Sequence, residues 1–396
     1  MSAPAEQANP EPTRADPIGI LQALIRCPSV TPEEGGALHY LAGLLGEAGF
    51  ETHIVRFSEP GTADVDNLFA RIGEGELNLA FAGHTDVVPP GDLTRWRFDP
   101  FLGEIADGMI FGRGAADMKG GVAAFAAAAL NYVARSGKPN GALSLLITGD
   151  EEGPAVNGTV KLLQWAKARG ERFSHCIVGE PTNPNALGYM IKIGRRGSLN
   201  GEVVVSGRQG HSAYPHLAEN PLPIMARIVS ALSDLVLDKG NAHFERSQLV
   251  VTSIDVGNSA FNVIPGEARA RFNVRFNDIW TPETLHARLE AAIREAAGNA
   301  KAELICHPCN SLAFITEPEA FVQTVSRAIE AETGKSPVLS TSGGTSDARF
   351  IRDYCPVVEF GLVGQTMHAF DEHVAVKDVQ ALTRIYERII EDYFTA

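Results

Sequence analysis

The sequence has too little positive charge for a protein that binds polyanions. Its 396 residues include 34 lysines and arginines against 48 aspartates and glutamates, which gives a formal net charge of −14. Nucleic acids and anionic membrane surfaces bind to faces with an excess of positive charge. The composition therefore argues against both kinds of partner. A small anionic substrate is still compatible with it, provided that a few local cations contact that substrate.

The sequence also has no apolar run of the length that crosses a bilayer. The first 16 residues are rich in alanine, proline and glutamate, and they lack both the basic start and the apolar core of a secretion signal. We therefore expect a flexible tail at residues 1–16, no membrane partner and a cytoplasmic location.

Cysteine is scarce and shows no pattern of pairs. The five cysteines are scattered and odd in number, and the one close pair, Cys306 and Cys309, has no second pair to match it. A disulfide framework needs an even number of cysteines, and a thiolate zinc site usually needs two close pairs. Reduced thiols in the cytosol fit this usage better.

A glycine-rich stretch at residues 112–121 lacks the features of a phosphate-binding loop. It reads Gly-Arg-Gly-Ala-Ala-Asp-Met-Lys-Gly-Gly and leads into an alanine-rich segment that is predicted to be a helix. The third glycine and the Lys-Ser/Thr of phosphate loops are missing. The glycines instead permit tight turns before the helix.

Length and pattern predict two domains of the α/β class. A chain of 396 residues is too long for one ordinary core. Apolar strands that alternate with helical segments predict a mostly parallel central sheet flanked by helices. After residue 193 the order becomes β-α-β-β-α-β, as in a ferredoxin-like split βαβ unit. We expect the larger domain at residues 17–194 and 309–396, with an inserted α+β domain at residues 195–308.

Polar side chains follow successive predicted strands at the point where each strand ends. An apolar run from Leu77 to Ala82 predicts a buried strand, and His84 and Asp86 come directly after it. An isolated His-x-Asp is usually a surface turn. Here, however, the predicted strands at 141–148 and 176–178 are also followed by acids. Because parallel strands bring their carboxyl ends to one edge of a sheet, these side chains are expected to meet.

The side chains at this predicted edge favour a metal site. Two imidazoles and several carboxylates without cysteine suit zinc or a neighbouring first-row metal. Their number exceeds one tetrahedral site, so two metals that share a bridging carboxylate are the simplest arrangement. The candidate residues are His84, Asp86, Asp117, Glu151, Glu152, Glu180 and His368.

Several longer strings resemble one enzyme family, the dimetal amidohydrolases and exopeptidases of the M20 type. The resemblance covers nearly the whole chain after the tail. It implies that the larger domain is catalytic and that the inserted domain serves as a dimerisation and lid domain. The strings are His84-Thr-Asp-Val-Val-Pro-Pro-Gly-Asp92, Gly112-Arg-Gly-Ala-Ala-Asp117-Met-Lys-Gly, Asp150-Glu-Glu152, Gly179-Glu-Pro, Gly194-Arg-Arg-Gly-Ser198, Gly210-His-Ser-Ala-Tyr214-Pro-His216 and Ser342-Gly-Gly-Thr-Ser-Asp347.

The resemblance implies a set of metal ligands. Two zinc ions are expected in each subunit, with cobalt as a substitute. His84 and Glu180 would hold one metal, and Glu152 and His368 would hold the second. Asp117 would bridge the two metals.

The resemblance also implies roles for two acids beside the metals. Asp86 would orient His84 through its second ring nitrogen. Glu151 would be the general base that takes a proton from water and later gives it to the leaving amine. His373 lies five residues after His368 and stays open as the alternative ligand at that position.

The inserted domain is expected to recognise an anionic substrate, since arginine pairs bidentately with carboxylates. The resemblance further implies a homodimer formed through this domain, in which His211 crosses the interface and hydrogen-bonds the oxyanion at the scissile carbonyl. The candidate substrate-binding residues are Arg195, Arg196, Tyr214, Asn262, Arg275, Gly343, Gly344 and Thr345.

The activity implied by the resemblance is hydrolysis of an amide. The expected substrate is N-succinyl-LL-2,6-diaminopimelate, which would give succinate and LL-2,6-diaminopimelate on the route to lysine. A related deacetylase or peptidase, such as acetylornithine deacetylase, stays open as the alternative. A metal-dependent binding protein without catalysis is a third possibility, but such a protein has no need of a base such as Glu151.

Overall fold

The apolar segments of the sequence form the strands and helices of a computed structural model, which describes residues 14–317 and 320–395. Residue contacts divide the chain into two units. The first unit comprises Met1–Ile193, Thr316–Leu339 and Ser346–Ala396, and the second comprises Gly194–Ile315 and Ser340–Thr345. The second unit thus contains Gly194, residues 309–315 and residues 340–345 in addition to the predicted inserted domain, 195–308, whose boundaries stay a proposal.

The strands of the described residues are, in chain order, β1 (Glu51–Phe57), β2 (Val65–Gly73), β3 (Asn78–His84), β4 (Glu104–Ala106), β5 (Met109–Phe111), β6 (Ala142–Thr148), β7 (His175–Val178), β8 (Met190–Lys192), β9 (Gly194–Arg195), β10 (Gly197–Ser206), β11 (Gly210–His211), β12 (Gln248–Asp255), β13 (Val263–Ile264), β14 (Glu267–Phe276), β15 (Ala302–Cys306), β16 (Phe314–Ile315), β17 (Val338–Ser340), β18 (Val357–Glu359) and β19 (His373–Ala375).

The α-helices of the same residues are α1 (Pro17–Ile25), α2 (Ala37–Glu47), α3 (Gly120–Ser136), α4 (Thr159–Ala168), α5 (Leu222–Ser233), α6 (Pro282–Ala297), α7 (Ala320–Thr333), α8 (Ala348–Ile351) and α9 (Val376–Thr395). Within this described part of the chain, none of the helices combines the length and the apolar content that spanning a bilayer requires.

The eight-stranded sheet of the first unit has its parallel strands in the middle. Its order is β1-β2-β6-β3-β7-β18-β8-β17. Strand β3 runs parallel to β6 and β7, and β7 runs parallel to β18, whereas β1 and β2 pair antiparallel at one edge. Every residue of β3 and β6 is buried, as expected of strands that are covered on both faces. The carboxyl ends of β6, β3 and β7 therefore lie side by side.

Helix α3 lies close against this sheet because its residues are small. Alanine and glycine fill most of its buried face, and Phe125 stacks on Phe81 of β3 with ring centroids 4.1 Å apart. Gly121 leaves no room for a side chain, since a Cβ there would lie 2.3 Å from the carbonyl oxygen of Gly179. The start of α3 is thereby held next to the end of β7.

The second unit is a small α+β structure with its own core. Its antiparallel sheet has the order β12-β14-β10-β15, and burial alternates along β10 and β14. The buried face of the sheet packs with the apolar residues of α5 and α6. The chain order β10, α5, β12, β14, α6, β15 is the predicted β-α-β-β-α-β order. The predicted fold class, a flanked and mostly parallel central sheet with an α+β unit, is confirmed.

Most of the predicted tail lies outside the described residues, which begin at residue 14. Its last two residues contact the first unit. The amide of Ala15 donates to Oδ1 of Asn131 at 2.8 Å. The Asp16 side chain accepts hydrogen bonds from Ile18 and Gly19 and so caps the start of α1.

The close approach of α3 to β7 predicts the effect of one methyl group. We expect Gly121→Ala to lower the free energy of unfolding by about 2 kcal/mol or more, because two main-chain segments must move apart. The matched control is Gly43→Ala on α2, where an added Cβ meets nothing within 4 Å. That variant is expected to be stabilised by up to about 1 kcal/mol. Urea unfolding followed by circular dichroism measures both, and equal stabilities would contradict the close packing.

Candidate metal centre

Strand β3 carries His84 into a buried position at the edge of the sheet. Because a carbonyl oxygen can only accept, Nδ1 of His84 donates to the main-chain oxygen of Asp86, at 2.9 Å. The other nitrogen, Nε2, lies 3.2 Å from Asp117 Oδ1, 3.8 Å from Glu180 Oε1 and 4.0 Å from Glu151 Oε2. Burial lowers the pKa of His84, but these carboxylates outweigh it and raise the pKa well above its usual range. Nε2 is thus directed at a centre of negative charge.

The carboxylate of Asp86 holds the turn that follows β6. It accepts hydrogen bonds from the amides of Glu151 at 3.2 Å and Glu152 at 3.0 Å. Its Oδ1 is 3.6 Å from Nδ1 of His84, so the nearer partner of the ring is the main-chain carbonyl rather than the carboxylate expected from the sequence. Burial raises the pKa of Asp86 to about 6, although His84 opposes this shift. Asp86 therefore holds the turn with the two glutamates through its carboxylate, and it holds the ring of His84 through its main-chain oxygen.

Asp117 stands between two histidines. It lies in the single turn Ala115–Lys119 before α3, and its peptide bond to Met118 is cis. Its Oδ1 is 3.2 Å from Nε2 of His84, and its Oδ2 is 3.4 Å from Nε2 of His368. Burial raises the pKa of Asp117, but the hydrogen bonds from His368 and His84 outweigh it and hold the pKa well below its usual range. The carboxylate stays charged and presents one oxygen to each side.

His368 completes the far side of the cluster from a loop between β18 and β19. Its Nε2 lies 2.8 Å from Oε1 of Glu152, and hydrogen bonds with Asp117 and Glu152 raise its pKa to about 10. His373, the alternative of the sequence analysis, is directed elsewhere. Its Nδ1 donates to the carbonyl of Asp371 at 2.7 Å, and its ring lies against Phe111.

Two further acids, Glu151 and Glu180, contribute carboxyl groups that are mostly shielded from solvent. Burial raises the pKa of Glu151 to about 8, against the opposing charge of His84 and with added repulsion from Asp347. Burial also raises the pKa of Glu180 well above its usual range, and repulsion from Asp117 and Glu151 adds to the shift. Carboxyl groups that repel one another in a buried site are stabilised by a bound cation.

The donor set fits a metal of the zinc type. Within residues 14–317 and 320–395, the ligand atoms of His84, Asp117 and Glu152 lie within 4.8 Å of one another, as do those of His84, Glu151 and Glu180. Imidazole nitrogens and carboxylate oxygens without thiolate are the ligands of catalytic rather than structural zinc sites. The cluster can therefore hold metal.

Three arginines approach one another in the second unit. Arg195 donates from Nη1 to the carbonyl of Gly344 at 3.2 Å. In the described part of the chain, the buried Nε and Nη1 of Arg196 have no hydrogen-bond acceptor, and the nearest carboxylate, Glu245, is 3.7 Å from Nη1. Burial lowers the pKa of Arg275, and the charges of Arg196 and Arg195 add to this shift. Such a group of like charges favours a bound anion.

The remaining candidates also lie in the second unit. His211 and Tyr214 are exposed, with their rings 5.7 Å apart. The amide of Ala213 donates to Nδ1 of His211 at 3.0 Å, so the neutral ring carries its hydrogen on Nε2. Asn262 is exposed, and its main-chain oxygen accepts from Ser212 at 2.9 Å. The segment Ser340–Thr345 supplies Gly343, Gly344 and Thr345.

Sequence reasoning missed two acids beside the cluster. Asp150 accepts from the amides of Val156 at 2.9 Å and Asn157 at 2.8 Å, which fixes the loop after the two glutamates. Glu372 is fully buried against the turn that carries Asp117. Glu372 lies between Asp371 and His373 in a polar stretch, and nothing in that pattern distinguishes it from a solvated acid.

Comparison with known proteins identifies the class to which this fold and cluster belong. The sequence profile of peptidase family M20/M25/M40 matches residues 80–392, and the chain belongs to this family. The predictions of M20 membership and of a hydrolase are confirmed.

Particular relatives cover almost the whole chain. The chain is 62% identical to succinyl-diaminopimelate desuccinylase of Methylorubrum extorquens (strain PA1), over 96% of this chain and 99% of the relative. It is 61% identical to the enzyme of the same name from Methylocella silvestris, over 95% and 98%. Among solved structures, an M20 family metallo-carboxypeptidase from Sulfolobus solfataricus has the same fold, with a TM-score of 0.77, 19% identity and coverage of 96% and 100%.

The different positions of His368 and His373 predict that their replacement has different effects on the metal content of the protein. We expect His368→Asn to lose about one equivalent of bound metal relative to the wild type, because its Nε2 lies against Asp117 and Glu152. Asparagine suits the backbone there, since φ is 60°. His373→Asn is the matched control and should keep its metal. Metal analysis after dialysis measures both, and loss of metal from the His373 variant alone would reverse the assignment.

Proposed function

We propose that this protein hydrolyses the amide of N-succinyl-LL-2,6-diaminopimelate to succinate and LL-2,6-diaminopimelate in the cytoplasm, as a step toward diaminopimelate and lysine. The observation that carries this proposal is the 62% identity, over nearly the full length of both chains, to a succinyl-diaminopimelate desuccinylase. The buried cluster of imidazoles and carboxylates supports it, since a metal held by such side chains activates water for amide hydrolysis without a nucleophilic side chain.

Two zinc ions per subunit, with cobalt as a substitute, are the proposed cofactors. His84 and Glu180 would hold one ion and Glu152 and His368 the other, with Asp117 between them. The support is the position of Asp117, whose two oxygens face different histidines. When bound, the metals would lower the pKa of a water and polarise the scissile carbonyl.

Glu151 is the proposed general base. Its carboxylate would take the proton released as water attacks the amide carbon, and then give it to the leaving nitrogen as the C–N bond breaks. Its position supports this role, because Oε2 of Glu151 lies 4.0 Å from Nε2 of His84 and the amide of Glu151 is held by the carboxylate of Asp86. Burial raises the pKa of Glu151 to about 8, and a neighbouring divalent cation would lower it toward the range of a working base.

The second unit is proposed to bind the anionic groups of the substrate. Arg195, Arg196 and Arg275 would pair with carboxylates of the substrate, and Arg196 has buried N–H groups that suit this role. The other proposed contacts are the Tyr214 hydroxyl, the Asn262 amide and the segment with Gly343, Gly344 and Thr345.

A homodimer formed through the second unit is also proposed, with His211 donated to the active site of the partner subunit. The tautomer of His211 supports a donor role, because Nδ1 already accepts from Ala213 and Nε2 carries the hydrogen. An oxyanion at the scissile carbonyl needs such a donor. The exposed apolar side chains of Leu217 and Phe261 are the kind of surface that an interface covers.

The substrate proposal predicts a preference that a direct assay measures. We expect kcat/KM for N-succinyl-LL-2,6-diaminopimelate to exceed that for N-acetylornithine by about 100-fold or more, because an acetyl group has no carboxylate to accept from the buried N–H groups of Arg196. A chelator should abolish hydrolysis, and zinc or cobalt should restore it. Preference for N-acetylornithine would favour the deacetylase alternative. Binding of the succinyl compound without any turnover would favour a binding protein.

The dimer proposal predicts that two inactive variants restore each other. Glu151→Gln should keep its metal but lose roughly a hundredfold or more in kcat, and His211→Ala should lose roughly 3 to 4 kcal/mol of transition-state stabilisation. Equal mixing with subunit exchange would return about a quarter of wild-type activity, since half of the dimers are mixed and each has one intact site.

The control for this experiment replaces one partner with the double variant Glu151→Gln/His211→Ala. Mixing it with Glu151→Gln should give no recovery, because no site regains Glu151. If the first mixture also stays inactive after exchange is demonstrated by mass spectrometry, His211 does not act in the partner's site.

A further inference from the structure

A single buried carboxylate, that of Glu372, accepts four hydrogen bonds from the segment that leads to the candidate metal centre. Its Oε1 accepts from the amides of Ala116 at 2.9 Å and Asp117 at 3.1 Å. Its Oε2 accepts from the amide of Gly114 at 3.1 Å and from Nη1 of Arg113 at 2.6 Å. Glu372 has no solvent exposure, and Arg113 is 3% exposed.

The turn needs this acceptor because of its geometry. The first amides of any helical turn have no carbonyl partner within the turn itself. In the turn Ala115–Lys119, which carries the metal-facing carboxylate of Asp117, the amides of Ala116 and Asp117 both donate to Glu372. A buried amide without an acceptor is unfavourable, so the position of the turn follows the position of this carboxylate.

The loop that carries Glu372 also carries His368. Its main chain is fixed to the same segment, since the carbonyl of Glu372 accepts from the amide of Gly112 at 2.9 Å and that of Ala369 accepts from Arg113 at 3.3 Å. Hydrogen bonds therefore connect the segment 112–117 with the loop 368–372 at positions other than the Glu372 carboxylate as well. Asp117 belongs to one of them and His368 to the other.

We propose that Glu372 is a positioning residue that holds Asp117 and His368 at the spacing needed for metal binding. Both of its oxygens are occupied by the segment 113–117, so it acts through the main chain of the turn. Both of its oxygens are needed, since each accepts two hydrogen bonds. A glutamine at this position would present an NH2 group to two donors, and an aspartate would be too short to contact both amides.

The test measures metal binding as well as turnover, and it rests on the proposed roles of Asp117 and His368. Cobalt(II) is titrated into metal-free wild type, Glu372→Gln and a control, Asp371→Asn, while visible absorption is recorded. Asp371 is the preceding residue of the same loop, and its Oδ1 accepts from the amide of Arg97 at 2.6 Å, an interaction that the side-chain oxygen of asparagine can also make. We expect Glu372→Gln to bind cobalt about 10 to 100-fold more weakly, with an altered spectrum at saturation. Asp371→Asn should match the wild type.

The second variant, Glu372→Asp, keeps the negative charge that pairs with Arg113. It allows the proposal to be tested even when Glu372→Gln does not fold. It should fold and still show the weaker cobalt binding. Wild-type affinity and spectrum in a folded Glu372→Gln or Glu372→Asp would overturn the proposal. Failure of both variants to fold would overturn it too, because the carboxylate would then support the fold as a whole. A wild type that binds no cobalt would instead contradict the proposed function.

Discussion

Repulsion among buried carboxylates is the constraint on which this structure depends. Two unit charges about 4 Å apart interact by roughly 4 kcal/mol at an effective dielectric constant of 20. The repulsion among four neighbouring carboxylates, those of Asp117, Glu151, Glu152 and Glu180, must be offset in one of two ways. Either protons bind to some of these groups or to the histidines beside them, or cations bind between them. The raised pKa of Glu151, about 8, and that of His368, about 10, reflect the first solution. Metal ions provide the second, so protons and metal compete for the same site.

The fold concentrates these groups because three parallel strands end side by side. Strand β3 lies between β6 and β7, so His84 stands between the acids that follow its two neighbours. Small residues at the strand ends let the turn with Asp117 approach. A Cβ on Gly83 would lie 2.4 Å from Cε of Met118, and one on Gly179 would lie 2.5 Å from the ring of Phe81. The glycines are therefore part of the centre, although they offer no ligand.

The sequence predicts those features that apolar pattern and local spacing determine. A strand boundary is visible as the end of an apolar run, which is why the position of His84 could be predicted, and the β-α-β-β-α-β order is visible in the same way. Contacts between a side chain and distant main chain leave no such pattern. The Asp86 carboxylate accepts from amides 65 and 66 residues away, and Glu372 accepts from amides more than 250 residues away. Residue type identifies an acid in both cases, but only the fold determines which donors it meets.

The proposed substrate-binding arginines of the second unit would resolve the conflict between an acidic protein and an anionic substrate. At physiological ionic strength the Debye length is about 8 Å, so the net charge of −14 is screened over most of the surface while nearby charges act at contact. Among the residues that the structure describes, Arg196 finds no acceptor for its buried Nε and Nη1, and much of the cost of removing these groups from water is met on folding. A succinyl group, with its one free carboxylate, would satisfy these donors, whereas a smaller neutral acyl group would leave them without an acceptor. Selectivity would then arise from unsatisfied donors, which discriminate between substrates more strongly than an apolar pocket does between substrates that differ by a few carbon atoms.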